Sequence, residues 1–252
     1  MKAALASLFA LLVLAGCAAV QTPPPAPSAA VTVTDPLFPG GFFLWAPYTR
    51  AEAESLAAHA ADSPQEALEA AGCYATLAAT SVDPAQKGPL AEAGRKLALD
   101  VASAHPDSAL AHYLAAALTG YAAESTPLAG LSLVPVIERE GAAAARLNPA
   151  LDHAGPERLL GLLYLRAPGI PLSVGDSAKA VDHLERAVSL APDFAENRLG
   201  LAEALLVEEE PERACTELAA GLGLLTPSCP GSSQLPRAAA LLKTLCGQTA
   251  KP

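Results

Sequence analysis

The chain has 252 residues and a formal net charge of −10 at pH 7. That balance argues against nucleic acid and against an anionic membrane surface as partners. Hydrophobic residues make up 52% but aromatics only 4%; the excess is Ala and Leu, the strongest helix formers, and the expected fold class is all-α.

At the N-terminus Met1-Lys2 supplies a short positive region, followed by an uncharged apolar run from Ala3 to Val13. The run is too short to span a bilayer, for which about 20 residues are needed. Leu14-Ala15-Gly16-Cys17 closes it. Small residues before a Cys suit a narrow peptidase site, and the tetrad resembles the lipobox of bacterial lipoproteins. Residues 1–16 are therefore expected to be a lipoprotein signal peptide, with Cys17 the lipidation site; an ordinary secretory signal with an accidental Cys is the alternative. Ala18 and Ala19 follow in place of an Asp, so the expected location is the periplasmic face of the outer membrane, held by the lipid anchor. Residues 17–34 include Pro23, Pro24, Pro25 and Pro27. Proline fixes φ and removes the N–H donor, so the segment reads as an extended tether.

The rest, 35–252, reads as one helical repeat domain. Its first part, Asp35 to Tyr48, is aromatic-rich (Phe38, Phe42, Phe43, Trp45, Tyr48). It is expected to pack as a non-helical cap over the first helix pair, a ligand-facing role being the alternative. Helices are then expected over 50–60, 63–80, 86–104, 107–121, 133–147, 155–166, 176–190, 193–207, 211–224 and 235–246. Asp62 or Ser63 before Pro64 suits an N-cap with Pro at the first helical position, and Asp176 suits the cap of the 176–190 helix.

Internal repetition is strongest over 154–192. Leu160-Gly161 and Tyr164 match helix A of a tetratricopeptide repeat; Ala180, Leu184, Ala187 and Pro192 match helix B at its spacing of 0, 4, 7 and 12. About seven extra residues enlarge the turn between them. The next unit repeats the logic with Leu201-Ala202, Leu205, Ala214, Leu218 and Gly221, and Ala180 to Ala214 is a step of 34 residues. Pro106, Pro149 and Pro192 are 43 residues apart twice. The expected architecture is a right-handed solenoid of degenerate tetratricopeptide-like hairpins, generic antiparallel helices being the alternative.

No Gly-x-Ser-x-Gly, Walker loop or paired-carboxylate constellation occurs, and His59, His105, His112, His153 and His183 stand at no metal-ligand spacing. The protein is read as non-catalytic, without cofactor or metal. Past Cys17 the cysteines are 73, 215, 229 and 246. If 211–224 and 235–246 are adjacent antiparallel helices, Cys215 meets Cys246, while Cys229 sits at the other end, about 15 Å away at ~1.5 Å per residue. A Cys215–Cys246 disulfide is expected.

Between the two halves of the best repeat, Pro168, Gly169, Pro171 and Gly175 force an ordered loop. Gly155-Pro156, Arg158, Gly161, Tyr164, Ala167-Pro168, Pro171, Gly175-Asp176, Lys179-Ala180, Pro192, Asn197, Leu199 and Ala202-Glu203 together resemble the TatT family. These are periplasmic repeat lipoproteins associated with TRAP transporters (tripartite ATP-independent periplasmic transporters). The resemblance is specific over about 50 residues and architectural elsewhere. It implies a helical scaffold that associates with the transporter's periplasmic solute-binding protein and can form a homotrimer with a pore or pocket for a small apolar ligand. Arg158 and Asn197 are the candidate binding residues, and the alternative role for both is to bond backbone carbonyls of the expanded loop. The competing functional reading is a structural lipoprotein that organises an outer-membrane or cell-wall complex.

Overall fold

Start and stop signals in the sequence place the helices. In the computed structural model, which describes residues 35–39, 48–224, 244, 246 and 247, the regular structure is helical throughout. The helices are α1 (Arg50–Ala57), α2 (Pro64–Thr80), α3 (Pro84–Ala104), α4 (Ala109–Ser125), the short α5 (Pro127–Gly130) with a 3-10 turn at Leu131–Leu133, α6 (Val134–Leu147), α7 (Leu151–Arg166), α8 (Ser177–Leu190), α9 (Ala195–Val207) and α10 (Pro211–Leu224). The expected signal peptide, Cys17, the tether, Phe42, Phe43, Trp45, Cys229 and most of the expected 235–246 helix lie outside the described residues.

Side-chain caps take up the orphan N–H groups at the starts. Thr49 and Glu52 form a reciprocal capping box on α1, Ser63 caps α2 with Pro64 behind it, and Asp83 and Ser108 cap α3 and α4. Of the two cap residues the sequence offers before Pro64, Ser63 is the one used. Asp176 caps α8 through the Lys179 N–H at 3.1 Å.

Two expectations need correction. The segment after residue 121 is not an open loop: α4 runs on to Ser125 and leads into α5. Gly130 makes this possible, because a Cβ there would meet the Ala123 carbonyl oxygen at 2.5 Å. And although the right-handed part of α7 begins at Gly155 as expected, Asp152, His153 and Ala154 before it wind left-handed.

Each helix packs chiefly on its neighbours in sequence, with further contacts between next-but-one partners such as α2 with α4 and α7 with α9. Ala and Gly let the helices approach closely: a Cβ at Gly161 would sit 2.5 Å from Leu184 Cγ, and one at Gly94 would sit 2.7 Å from Tyr74 Cβ. The apolar interior divides along α7. Leu159 belongs to a first core built from α1–α4 and α6, and Leu160 to a second built from α7–α10.

Leu37, Phe38 and Tyr48 pack on the first core, so the described part of the aromatic segment covers apolar surface. It is pinned to α4. The buried Asp35 carboxylate accepts bonds from Ser108 Oγ (3.0 and 3.1 Å) and from the Leu110 N–H (2.9 Å), closing that helix's N-terminus. Cys215 is joined to Cys246 with Cα atoms 5.7 Å apart, the pairing expected from the helix ends. Cys73 is a free thiol inside the first core, where burial pushes its pKa up to about 11, a setting that keeps it protonated and unreactive.

Candidate functional site

The two candidate binding residues, 39 positions apart, meet at the point where the core divides. Arg158, in the first turns of right-handed α7, donates from Nη1 to Asn197 Oδ1 at 3.0 Å. The same nitrogen donates to the His153 carbonyl at 3.1 Å, and Nη2 reaches the Asp152 carboxylate at 3.3 Å. Asn197, fully buried in α9, donates from Nδ2 to the carbonyls of His153 (3.0 Å), Ala187 (3.0 Å) and Ala191 (3.2 Å). The last two lie at the C-terminal end of α8, where each also accepts a backbone N–H, Ala187 O from Ala191 and Ala191 O from Phe194. The carbonyls these side chains hold thus belong to the 152–154 turn and the end of α8, and not to the expanded loop.

That turn explains why so many donors converge. Asp152, His153 and Ala154 have φ of 49°, 53° and 64°, a single left-handed turn of three residues with side chains. Each costs about 1–2 kcal/mol against the right-handed form, so the turn persists only because its surroundings hold it. Besides Arg158 and Asn197, Tyr113 from α4 donates to Asp152 Oδ2 at 2.5 Å. The His153 ring stacks on Phe194 at 4.6 Å, and the Arg158 guanidinium lies 4.7 Å from the same ring. Gly155 fits here for lack of a Cβ, which would meet the Tyr113 hydroxyl at 2.5 Å. Burial first, and the Asp152 charge second, raise the Tyr113 phenol well above its ordinary range, so it stays a donor. Burial also lifts the Glu196 carboxyl. Arg158 Nε is buried with no hydrogen-bond partner.

From the other end of α7 emerges the expanded loop, ordered as expected. The N–H groups of Leu172 and Ser173 bond the Gly169 carbonyl, Gly175 N–H bonds Pro168 O, and Asp176 N–H returns to Tyr164 O at 2.9 Å. Gly169 and Gly175 form one isolated bridge, and the Ile170–Pro171 peptide is cis. A Cβ on Gly175 would lie 2.0 Å from the Ala167 carbonyl oxygen, so only glycine fits. The tip is apolar and bare: Ile170 is 89% and Leu172 78% exposed. Under the loop, Lys179 lies over the Tyr164 ring and Tyr164 donates to Glu138 at 2.8 Å. Burial, then that bond, lift the Tyr164 phenol to about 12. Glu203 is nearly buried beside Arg166 at 3.7 Å, and burial holds its carboxyl above the usual range.

Two further histidines tie helices together. His112 Nδ1 lies 2.5 Å from Glu140 across α4 and α6, and His183 Nδ1 lies 2.7 Å from Glu157, which Arg186 also reaches at 3.1 Å. No group of three or more His, Cys, Asp or Glu side chains with metal-site geometry occurs among the described residues. No described helix is long and apolar enough to cross a membrane.

The sequence reading missed Tyr113, Asp152, His153 and Phe194 as members of this cluster. The only local hint was Gly155-Pro156, which marks a helix start and says nothing of the turn before it. No model of a known protein family matches the chain, and no curated protein matches it.

Proposed function

We propose that this chain is a lipid-anchored, non-catalytic binding scaffold of the periplasm, held by Cys17 at the inner face of the outer membrane. Its body is a right-handed solenoid of degenerate tetratricopeptide-like hairpins, and its partner is the solute-binding protein of a TRAP-type transporter. The observation that carries the reading is the way the residues of the TatT resemblance fold together. Gly161 seats Leu184 at the helix crossing, Gly175 and Asp176 turn the loop into α8, and Arg158 meets Asn197 across two helices. These are separate requirements of one supersecondary unit, met at once. Packing that runs chiefly between neighbours in sequence supports the stacked-hairpin description.

Arg158 and Asn197 act in this reading as supports, since between them they hold the His153, Ala187 and Ala191 carbonyls and the Asp152 carboxylate. The partner is met by the concave helical face they hold in shape. The test is in-cell crosslinking of the tagged chain followed by identification of captured proteins. Recovery of a solute-binding protein with its permease is the expected result. Recovery of envelope-assembly or cell-wall proteins instead would replace it with the structural-scaffold reading.

A further inference from the structure

The 167–175 loop has a surface that the scaffold reading leaves unused. Ala-Pro-Gly-Ile-Pro-Leu-Ser-Val-Gly carries no charge, and its tip, Gly169 to Leu172, is exposed. The geometry points to this tip as a lipid-inserting knob, which lays the C-terminal hairpins against the zwitterionic bilayer that holds the anchor. The inference rests on the anchored reading for its setting, because only a tethered chain has a bilayer constantly in reach.

Three observations favour lipid over a protein groove. First, the exposed apolar area is that of Ile170, Leu172 and the proline between them, far below the ~800 Å² per partner of a stable protein interface. A tethered body needs little local affinity, because the second contact is intramolecular. Second, the tip holds none of the Trp, Tyr or Arg anchors that dominate protein interfaces. Third, it is held rigid by the bonds to Gly169 O and Pro168 O and by the tight seat of Gly175, so insertion costs little ordering entropy. The sequence places residues 18–34 between Cys17 and the described body, and a chain of that length would reach about 50 Å if extended, enough for the body to lie down.

The test uses the chain from residue 18 onward, which keeps the tether and the whole helical body but no anchor or apolar leader. Trp45→Phe removes the native tryptophan and Leu172→Trp places a reporter at the tip. Vesicles of phosphatidylcholine with brominated tails are added to millimolar lipid. Tryptophan quenching with a blue shift is expected at 172 and not at an equally bare position on the α2–α3 turn, Val82→Trp. Ile170→Glu in the reporter chain is expected to lower the partition by about tenfold or more, with its circular dichroism unchanged. No quenching at 172, equal quenching at 82, or a blue shift at 172 that needs a solute-binding protein and no vesicles would each overturn the inference. Vesicle flotation of the chain with Cys17 in place tests the anchor separately, so loss of that reading leaves the quenching result intact.

Discussion

Asn197→Ala should unfold the left-handed turn at Asp152–Ala154, the most strained backbone among the described residues. The side chain makes bonds to three carbonyls at 3.0–3.2 Å and accepts one from Arg158 at 3.0 Å; those to Arg158 and Ala187 are buried and those to His153 and Ala191 partly so. The carbonyls keep other partners: Ala187 O still accepts from Ala191 N–H, and His153 O from Arg158. Two amide protons can supply about two full bonds at ~1 kcal/mol each, and the charge-assisted bond adds about 1.5–3 kcal/mol. The expected loss is thus about 3.5–5 kcal/mol. An independent bound comes from the backbone, where three left-handed residues cost ~3–6 kcal/mol; once the network fails, the turn can relax and return part of that. Against a typical total of ~5–15 kcal/mol, the variant should be marginal. Urea denaturation followed by circular dichroism, with the slope compared to the parent, measures it. Asn197→Asp sharpens the test: it keeps the acceptor for Arg158 but turns a carboxylate oxygen towards three carbonyls, so it should be no better than Ala. A loss under about 1 kcal/mol for Ala, or a milder effect for Asp, would mean that the turn is held by something other than Asn197.

Gly175→Ala should cost several kcal/mol or rearrange the loop, because its Cβ meets backbone oxygen that cannot yield; melting temperature and susceptibility to proteolysis at 167–176 read this out. Reducing Cys215–Cys246, which closes a sequence separation of 31 residues, should cost about 3–4 kcal/mol by the chain-entropy account, seen as a shift in the urea midpoint with and without reductant. Glu203 and Glu157 should give opposite pH slopes. The Glu203 pKa is raised by burial, so its contribution is favourable below the unfolded value near 4.5 and is lost as pH rises through the folded one. Glu203→Gln should leave stability at pH 7 unchanged or higher. For Glu157, burial is outweighed by bonds from His183 and Arg186 and the pKa is lowered, so its contribution is present above ~4.5 and is lost as pH falls through the folded value; Glu157→Gln should destabilise at pH 7 and progressively less as the pH falls below ~4.5.

The helices were legible because their ends are written locally. Ser63-Pro64, Asp176 and the prolines at 106, 149 and 192 each act within a turn of where they stand, and the extents follow to within a few residues. The Cys215–Cys246 pairing was expected from the lengths and directions of two helices; the bond is present, while most of the second expected helix, 235–246, lies outside the described residues. The left-handed turn was not. Asp and His tolerate positive φ singly, but Ala154 has no such preference, and nothing in Asp-His-Ala predicts three such residues together. Their partners arrive from 39 residues upstream, at Tyr113, and 44 downstream, between His153 and Asn197. Arg158 and Asn197 stand out as polar members of the residue set that carries the family resemblance, while nothing in that set marks the backbone they serve. The α5 turn was hidden likewise, since it depends on Gly130 lying against Ala123.

The position of the turn gives its strain a use. Right-handed α7 runs from Gly155 to Arg166, about 18 Å at ~1.5 Å per residue, with the polar cluster at its start and the exposed loop at its end. Leu159 on this rod faces the first core and Leu160 the second, so its axis sets how the two sets of helices meet. An ordinary right-handed approach from α6 would carry α7 along another line. The left-handed turn redirects the chain within three residues, and Tyr113, Arg158 and Asn197 fix the new direction from α4, α7 and α9 at once. At the far end the Asp176 N–H bonds back to Tyr164, which ties the loop to the same rod. Whatever Ile170 and Leu172 meet, their placement relative to the N-terminal helices is therefore decided at Asp152–Ala154, by the most costly backbone among the described residues.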